Sequence, residues 1–195
     1  MKIAGIFIIF LSIGLLLTAG CADPEPVPEN GVAPDPTKTP APVTTPEPGT
    51  VQAVSYTQLI PFLPDAPAGW TAGEPDGATL TMHDWSWATA GRDYRNIANP
   101  NQRADIVIVD SAYYAVGGFE AWGQFVTMET PYGYYRSDTV AGFPAWEVHE
   151  APSYYAKWIG INERFMVAVT IDEGTKADLD RFVNAVNYRG IAALG

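Results

Sequence analysis

The side chains that could carry chemistry in this chain are few, and the two histidines come first among them. His83 and His149 are each followed by an acid, Asp84 and Glu150. Two such pairs could bind zinc if the fold brought them together, but neither shows the spacing of metal ligands. The chain also has no Gly-X-Ser-X-Gly elbow, phosphate-binding glycine loop or His-Glu-X-X-His helix. We therefore expect no catalytic residue, no metal site and no bound cofactor.

A group of acids lies between Asp172 and Asp180, near the start of the last predicted helix. A calcium-binding loop needs oxygen ligands at alternate positions around a glycine. Here Gly174 comes too early and Lys176 interrupts the acids. The pattern instead indicates acids that interact with the positive end of a helix dipole.

Cys21 is the only cysteine, and it follows the small residues of Leu17-Thr18-Ala19-Gly20. Lys2 and fifteen residues, mostly apolar (3–17), precede it, as in a signal peptide. Lipoprotein processing requires a thiol after small residues, and acylation would also account for an odd cysteine in an exported chain. We predict a signal peptide over residues 1–20 and a lipidated Cys21. An uncleaved N-terminal helix, or cleavage and release, are the open alternatives.

The rest of the chain divides by composition into a linker and one domain. Residues 21–55 hold nine of the seventeen prolines, with one lysine and five acids. Proline removes backbone donors and the segment has no apolar face, so we expect a disordered linker. Residues 56–195 are long enough to bury a core and carry seventeen acids against nine bases. This acidic balance disfavours nucleic acid as a partner.

Hydrophobic periodicity predicts an α+β domain built on one antiparallel sheet of about six to eight strands flanked by helices. Short connections make the four C-terminal strands antiparallel neighbours. A stripe of Leu179, Phe182, Val183 and Val186 predicts a final amphipathic helix over residues 175–187. The predicted strands cover residues 69–74, 78–82, 87–95, 103–111, 132–140, 144–149, 154–162 and 164–171, with a turn at Pro75-Asp76-Gly77 and helices at residues 56–62 and 119–128.

The domain is rich in aromatic residues and contains all six tryptophans and all ten tyrosines of the chain. Adjacent residues of a strand face opposite sides, so each aromatic doublet is expected to place one ring outward. Trp85 and Trp87 would share a face, as would Tyr132 and Tyr134. Exposed rings could stack on sugars or on apolar partners. These four residues are our candidate ligand or partner contacts, and the alternative is that the rings fill the core between sheet and helix or cover an open face of the sheet.

The domain resembles an uncharacterised family of prokaryotic, often archaeal, membrane lipoproteins. The resemblance covers most of residues 56–195. Its matching segments are Pro67-Ala68-Gly69-Trp70, Arg92-Asp93-Tyr94, residues 106–114, Gly133-Tyr134, residues 140–147 and Glu163-Arg164-Phe165-Met166-Val167. More loosely, its layout is similar to that of PsbP-like extrinsic photosystem proteins, which are non-catalytic accessory subunits. That likeness concerns fold alone and carries function only by analogy.

These features predict a lipid-anchored module on the extracytoplasmic face of the cell membrane. It would bind a ligand or scaffold an envelope complex without catalysis. Besides the membrane, the expected partners are envelope proteins or glycans. A hydrolase acting on envelope polymers is the alternative, and it would need a cleft where His83 or His149 meets a serine and a carboxylate. A passive surface-coat lipoprotein is the third reading.

Overall fold

The computed structural model describes residues 51–82, 85–112 and 127–195, which belong to one compact unit. Cys21, most of the predicted linker and His83 lie outside these ranges. Within them, no helix is both long enough and apolar enough to cross a bilayer.

The described residues form nine strands in a single antiparallel sheet. The strand order is β1-β3-β4-β9-β8-β7-β6-β5, and β2 also pairs with β3. The strands are β1 (Trp70–Ala72), β2 (Asp76–Met82), β3 (Trp85–Asn96), β4 (Arg103–Asp110), β5 (Thr127–Thr130), β6 (Gly133–Val140), β7 (Phe143–Glu150), β8 (Tyr154–Ile161) and β9 (Phe165–Asp172). The predicted single antiparallel sheet is confirmed, with nine strands in place of six to eight.

Alternation of burial along the central strands shows which face of the sheet carries the core. In β9 every second residue from Phe165 to Ile171 is fully buried, and the residues between are partly exposed. In β4, Ile106 and Ile108 are fully buried and pair with buried residues of β9. Successive strand residues point to opposite faces, so these side chains share one side of the sheet. We call this side the core face and the other side the second face.

Three short helices accompany the sheet in the described residues. Helix α1 (Tyr56–Leu59) continues into a 3₁₀ turn, and α2 (Lys176–Ala185) and α3 (Tyr188–Ala192) close the chain. Thr175 caps α2, because its side chain accepts the Asp178 N–H while the Asp178 side chain accepts the Thr175 N–H. This capping box fixes the point where the chain leaves β9 and turns back over the sheet.

Helix α2 packs its apolar stripe against residues of the core face. Leu179 and Phe182 are fully buried, and Val183 is 4% exposed. The Phe182 ring lies edge-on to Trp70 at 5.0 Å and 4.9 Å from the ring of Tyr94. The predicted stripe is therefore confirmed, and Phe182 joins α2 to strands β1 and β3.

Two local predictions were wrong. Asp76 and Gly77, predicted within a turn, belong to β2, because β1 and β2 run in the same direction along one edge of β3. The predicted helix at residues 119–128 does not extend to its last two positions, since Thr127 and Met128 pair with β6 as part of β5. Residues 119–126 lie outside the described ranges. The second difference adds β5 to the eight predicted strands, whereas the first only lengthens β2.

A buried ion pair fixes the N-terminal segment to the sheet, and we call it the clasp. Arg164 donates from Nε and Nη2 to the two carboxylate oxygens of Asp110, each at 2.9 Å. Asp110 is fully buried and also accepts the Val54 N–H at 2.8 Å. Arg164 Nη2 donates to the Gln52 carbonyl at 3.2 Å. The last residues assigned to the linker thus hydrogen-bond to the domain.

Candidate functional site

The four aromatic candidates lie in two separate parts of the sheet. Trp85 and Trp87 belong to β3, where Trp87 is half-buried and pairs with Leu80 of β2. Tyr132 lies in the turn between β5 and β6, and Tyr134 lies in β6. Strands β4, β9, β8 and β7 separate the two pairs. The sheet therefore does not bring the tryptophans and the tyrosines together.

Tyr132 and Tyr134 also differ from each other in surroundings. Tyr132 is 77% exposed, the largest exposure among the big apolar side chains described. Tyr134 is half-buried, and its hydroxyl donates to Oε1 of Glu147 at 2.8 Å. Tyr132 is available to a partner, whereas the hydroxyl of Tyr134 is used inside the domain.

Tyr132 borders a surface hollow of about 400 Å³ at one end of the sheet, which we call the tyrosine hollow. The hollow lies where the β5–β6 turn meets the end of β7. Within it, the Tyr135 hydroxyl donates to Oε1 of Glu150 at 2.6 Å. The lining residues are Thr130, Tyr132, Gly133, Tyr135, His149, Glu150 and Ala151.

A glycine and a hydroxyl shape the turn that carries Tyr132. A Cβ atom at Gly133 would overlap the carbonyl oxygen of His149, so only glycine allows β6 to approach β7 this closely. The Thr130 hydroxyl accepts the Tyr132 N–H and donates to the Gly133 carbonyl, both at 3.2 Å. The backbone beside Tyr132 is thereby held by hydrogen bonds on both sides.

The electrostatic environment of this strand end is acidic. The hydrogen bond to Glu150, together with burial, raises the pKa of Tyr135 to about 12. Burial raises the pKa of Tyr154, and the carboxylates of Glu150, Asp172 and Asp105 raise it further. Negative charge at this end of the sheet disfavours ionisation of a tyrosine hydroxyl, and the same charge attracts a cation.

A buried carboxylate, Glu147, organises the neighbouring core face. It is 1% exposed. Its carboxylate accepts a hydrogen bond from the Tyr134 hydroxyl and forms ion pairs with Arg136 at 2.5 Å, Lys157 at 2.7 Å and Lys176 at 3.2 Å. Burial would raise its pKa, but hydrogen bonds from Lys157, Tyr134 and Arg136 and the charge of Lys157 lower it to about 2. Glu147 therefore stays ionised at neutral pH, and it links β6, β7, β8 and α2 rather than exchanging protons.

His149 is surrounded by tyrosines. Its ring stacks on Tyr155 at 4.3 Å and lies 5.5 Å from the ring of Tyr134. Its Nδ1 is 3.0 Å from the Tyr154 carbonyl oxygen. In the part of the chain that the structure describes, no serine or carboxylate hydrogen-bonds to His149. Nor do the described residues hold a group of three or more metal-ligating side chains.

The tyrosine hollow and the clasp lie at opposite ends of the strands. Tyr154, the first residue of β8, pairs with Glu150 beside the hollow. Ile161, the last residue of β8, pairs with Phe165, which in turn pairs with Asp110 of the clasp. A strand rises about 3.3 Å per residue, so roughly 23 Å of β8 separates the two ends.

Two residues of the hollow were missed among the candidates from sequence, Tyr135 and Glu150. The signal that could have found them is the two-residue turn at Ala141 and Gly142, where both residues have positive φ. Counting outward from this turn pairs Gly133 with Glu150, as observed. The pairing register of β6 and β7, rather than the residue types alone, would have predicted that Glu150 lies beside the tyrosines.

Comparisons with protein-family models, with curated proteins and with solved structures found no match for this chain.

Proposed function

We propose that this chain is a lipid-anchored, non-catalytic binding or scaffolding module on the extracytoplasmic face of the cell membrane. Acylated Cys21 would hold it there, and the tyrosine hollow would contact envelope proteins or glycans. Tyr132 is the central contact in this proposal because its ring is the most exposed.

The observation that carries this proposal is the position of the hollow relative to the clasp. The chain joins the domain at Gln52 and Val54, which bind the clasp at one end of the strands. The hollow is at the other end, about 23 Å away along β8. A tether attached at one end leaves the other free for a partner.

The resemblance to prokaryotic membrane lipoproteins and the PsbP-like layout belong to the same proposal. A single antiparallel sheet with α2 packed on its core face is compatible with such a layout. Non-catalytic accessory proteins of that shape would act through their surfaces, which agrees with a binding role by analogy alone.

Hydrolysis of envelope polymers is the second candidate, and His149 would be its base. The ring contacts of His149 are with Tyr134 and Tyr155, and its Nδ1 faces a backbone carbonyl. Glu147 is held ionised by basic neighbours and would make a poor general acid. A passive surface-coat role ranks third, since it gives no reason for a hollow with an exposed ring.

Chemical crosslinking in native membranes tests the binding role. Wild type and Tyr132→Ser would be expressed at equal levels, crosslinked gently and recovered through a C-terminal tag. We expect a discrete crosslinked species with the wild type and at least a fivefold loss with Tyr132→Ser, because interface energy concentrates in exposed aromatic anchors.

Ile97→Ser is the matched control for this experiment. Ile97 is 65% exposed and follows β3, five strands away from β6 in the sheet order. It should leave the crosslinked species unchanged. Equal loss from both variants, or no loss from Tyr132→Ser, would contradict the assignment of the hollow as the contact surface.

A further inference from the structure

The tyrosine hollow is rich in hydrogen-bond acceptors and poor in free donors. Of the three hydroxyl groups that line it, two already donate within the domain. Thr130 donates to the Gly133 carbonyl, and Tyr135 donates to Glu150. Glu150 is an exposed carboxylate, and its Oε2 atom makes no hydrogen bond within the described residues. The hollow therefore offers lone pairs, a negative charge and the faces of aromatic rings.

This composition selects against an anionic ligand. No lysine or arginine lines the hollow among the residues that the structure describes. Glu150 lines the hollow, so an approaching anion meets repulsion from its carboxylate. A neutral sugar would find few donors for its hydroxyl oxygens, since among the described hydroxyl groups that line the hollow only that of Tyr132 does not already donate within the domain.

An organic cation meets the opposite conditions. An ammonium group carries no hydrogen-bond acceptor of its own, so it needs no donor from the hollow. It is attracted both to a carboxylate and to the face of a tyrosine ring. Tyr132 and Tyr135 supply the rings, and Glu150 supplies the charge. The bond from the Tyr135 hydroxyl fixes that carboxylate beside the ring in advance of binding.

We propose that the tyrosine hollow binds an organic ammonium group, with Tyr132 and Tyr135 as the aromatic walls and Glu150 as the counter-charge. This inference rests on the hollow being the contact surface proposed above and specifies the chemistry that it recognises. The group is the ammonium of a lysine side chain of an envelope protein, because the hydroxyl groups of an amino sugar would find few donors in the hollow.

Choline and its neutral isostere 3,3-dimethyl-1-butanol separate charge recognition from simple apolar contact. The full chain in maltoside micelles, isotope-labelled, would be titrated with each probe at constant ionic strength, and the amide shifts of Gly133 and Ala151 followed. We expect choline to bind at least threefold more tightly than the isostere, because only choline gains cation–π and ion-pair attraction. Equal affinity for the two probes would overturn the proposal.

Charge removal provides the residue-level test. Glu150→Gln should weaken choline binding about two- to fivefold, as expected for an exposed ion pair. Glu163→Gln is the matched control, an exposed acid in the turn after β8 at the far end of that strand, and should leave the affinity unchanged. If Glu163→Gln weakens binding as much as Glu150→Gln, the probe senses only the overall negative charge and the proposal fails.

Two further probes identify the source of the ammonium group and separate this inference from the proposed function. Nα-acetyl-lysine amide represents a peptide, and glucosamine, with N-acetylglucosamine as its uncharged counterpart, represents an amino sugar. Tighter binding of the lysine derivative supports the inference, whereas tighter binding of glucosamine, or failure of both, overturns it. If Tyr132→Ser removes the membrane crosslink yet choline does not compete with that crosslink, the hollow binds a different chemistry and only the present inference falls.

Discussion

Asp110→Asn should destabilise the domain strongly, because it breaks the clasp while leaving Arg164 buried. Asp110 is fully buried, and the Arg164 side chain is 7% exposed. Breaking a buried ion pair by removing one partner costs about 3–5 kcal/mol, since the attraction that offsets the burial of both charges is lost. A domain of this size typically has about 5–15 kcal/mol of stability.

The expected signal is large on a thermal scale. For about 145 residues, each kcal/mol shifts the melting temperature by about 3–5 °C, so Asp110→Asn should lower it by roughly 10–20 °C. Thermal unfolding followed by circular dichroism measures this directly. Asp180→Asn is the control, because Asp180 is 44% exposed in its pair with Lys176 and exposed pairs contribute at most about 1 kcal/mol.

Removing the residues that precede Tyr56 is a second way to perturb the clasp. A fragment beginning at Tyr56 lacks the Val54 N–H and the Gln52 carbonyl, which bind Asp110 and Arg164. Buried polar atoms left without partners cost about 1–3 kcal/mol, so this fragment should melt several degrees below one beginning at Val51. If Asp110→Asn melts within 3 °C of wild type and the two fragments melt together, the clasp contributes nothing to the fold.

Three further predictions concern the core, the pH response and the anchor. Phe182→Ala should lower the free energy of unfolding by about 3–5 kcal/mol in denaturant titrations, because Phe182 is fully buried against two rings. Asp180→Ala is the control and should change this free energy little. If Phe182→Ala abolishes partner capture without loss of stability, α2 is instead a binding surface. The folded-state pKa of Glu147 lies near 2, below its ordinary value of 4.5. The unfolded chain therefore binds more protons than the folded chain between these two pH values. The stability advantage of wild type over Glu147→Gln should be complete above about pH 4.5 and should shrink as the pH falls toward 2. A difference that stays constant with pH would show that the charge of Glu147 does not stabilise the fold. Cys21→Ala should abolish metabolic labelling with a lipid precursor and leave the protein released or unprocessed, and equal labelling of both forms would rule out lipidation at Cys21.

Local sequence signals were sufficient for the regular parts of the fold. The strand predicted over residues 103–111 is observed as β4, which lies between β3 and β9. The stripe through Phe182 predicted α2, because it depends on residues only three or four positions apart. Such features are fixed by the chain locally and survive in the tertiary structure.

The errors occurred where tertiary pairing overrode local preference. Pro75-Asp76-Gly77 has the composition of a turn, yet β3 is twelve residues long and pairs with both β1 and β2 along one edge. Thr127 and Met128 continue a helical pattern in the sequence, but hydrogen bonding to β6 makes them part of β5. Propensity is a weak prior at the ends of elements, where a neighbouring strand decides.

The candidate site was less accessible to prediction than the fold. Tyr132 was singled out from its aromatic neighbours, but Glu150 depends on the register of the β6–β7 hairpin. The clasp joins Asp110 to Arg164 across 54 positions of the chain, and no local pattern marks it. Side chains brought together by long-range pairing carry no signature in a single sequence.

Site-specific photocrosslinking tests most directly whether the hollow is the contact surface. Benzoylphenylalanine would replace Tyr132 in one variant and Glu163, at the far end of β8, in another, and both would be irradiated in intact cells. Tyr132 lines the hollow, and Glu163 lies in the turn beside the clasp end of the strands. We predict a discrete adduct from position 132 that choline competes away, and none from position 163. Adducts from position 163 alone would place the partner at the tethered end and contradict the proposed function.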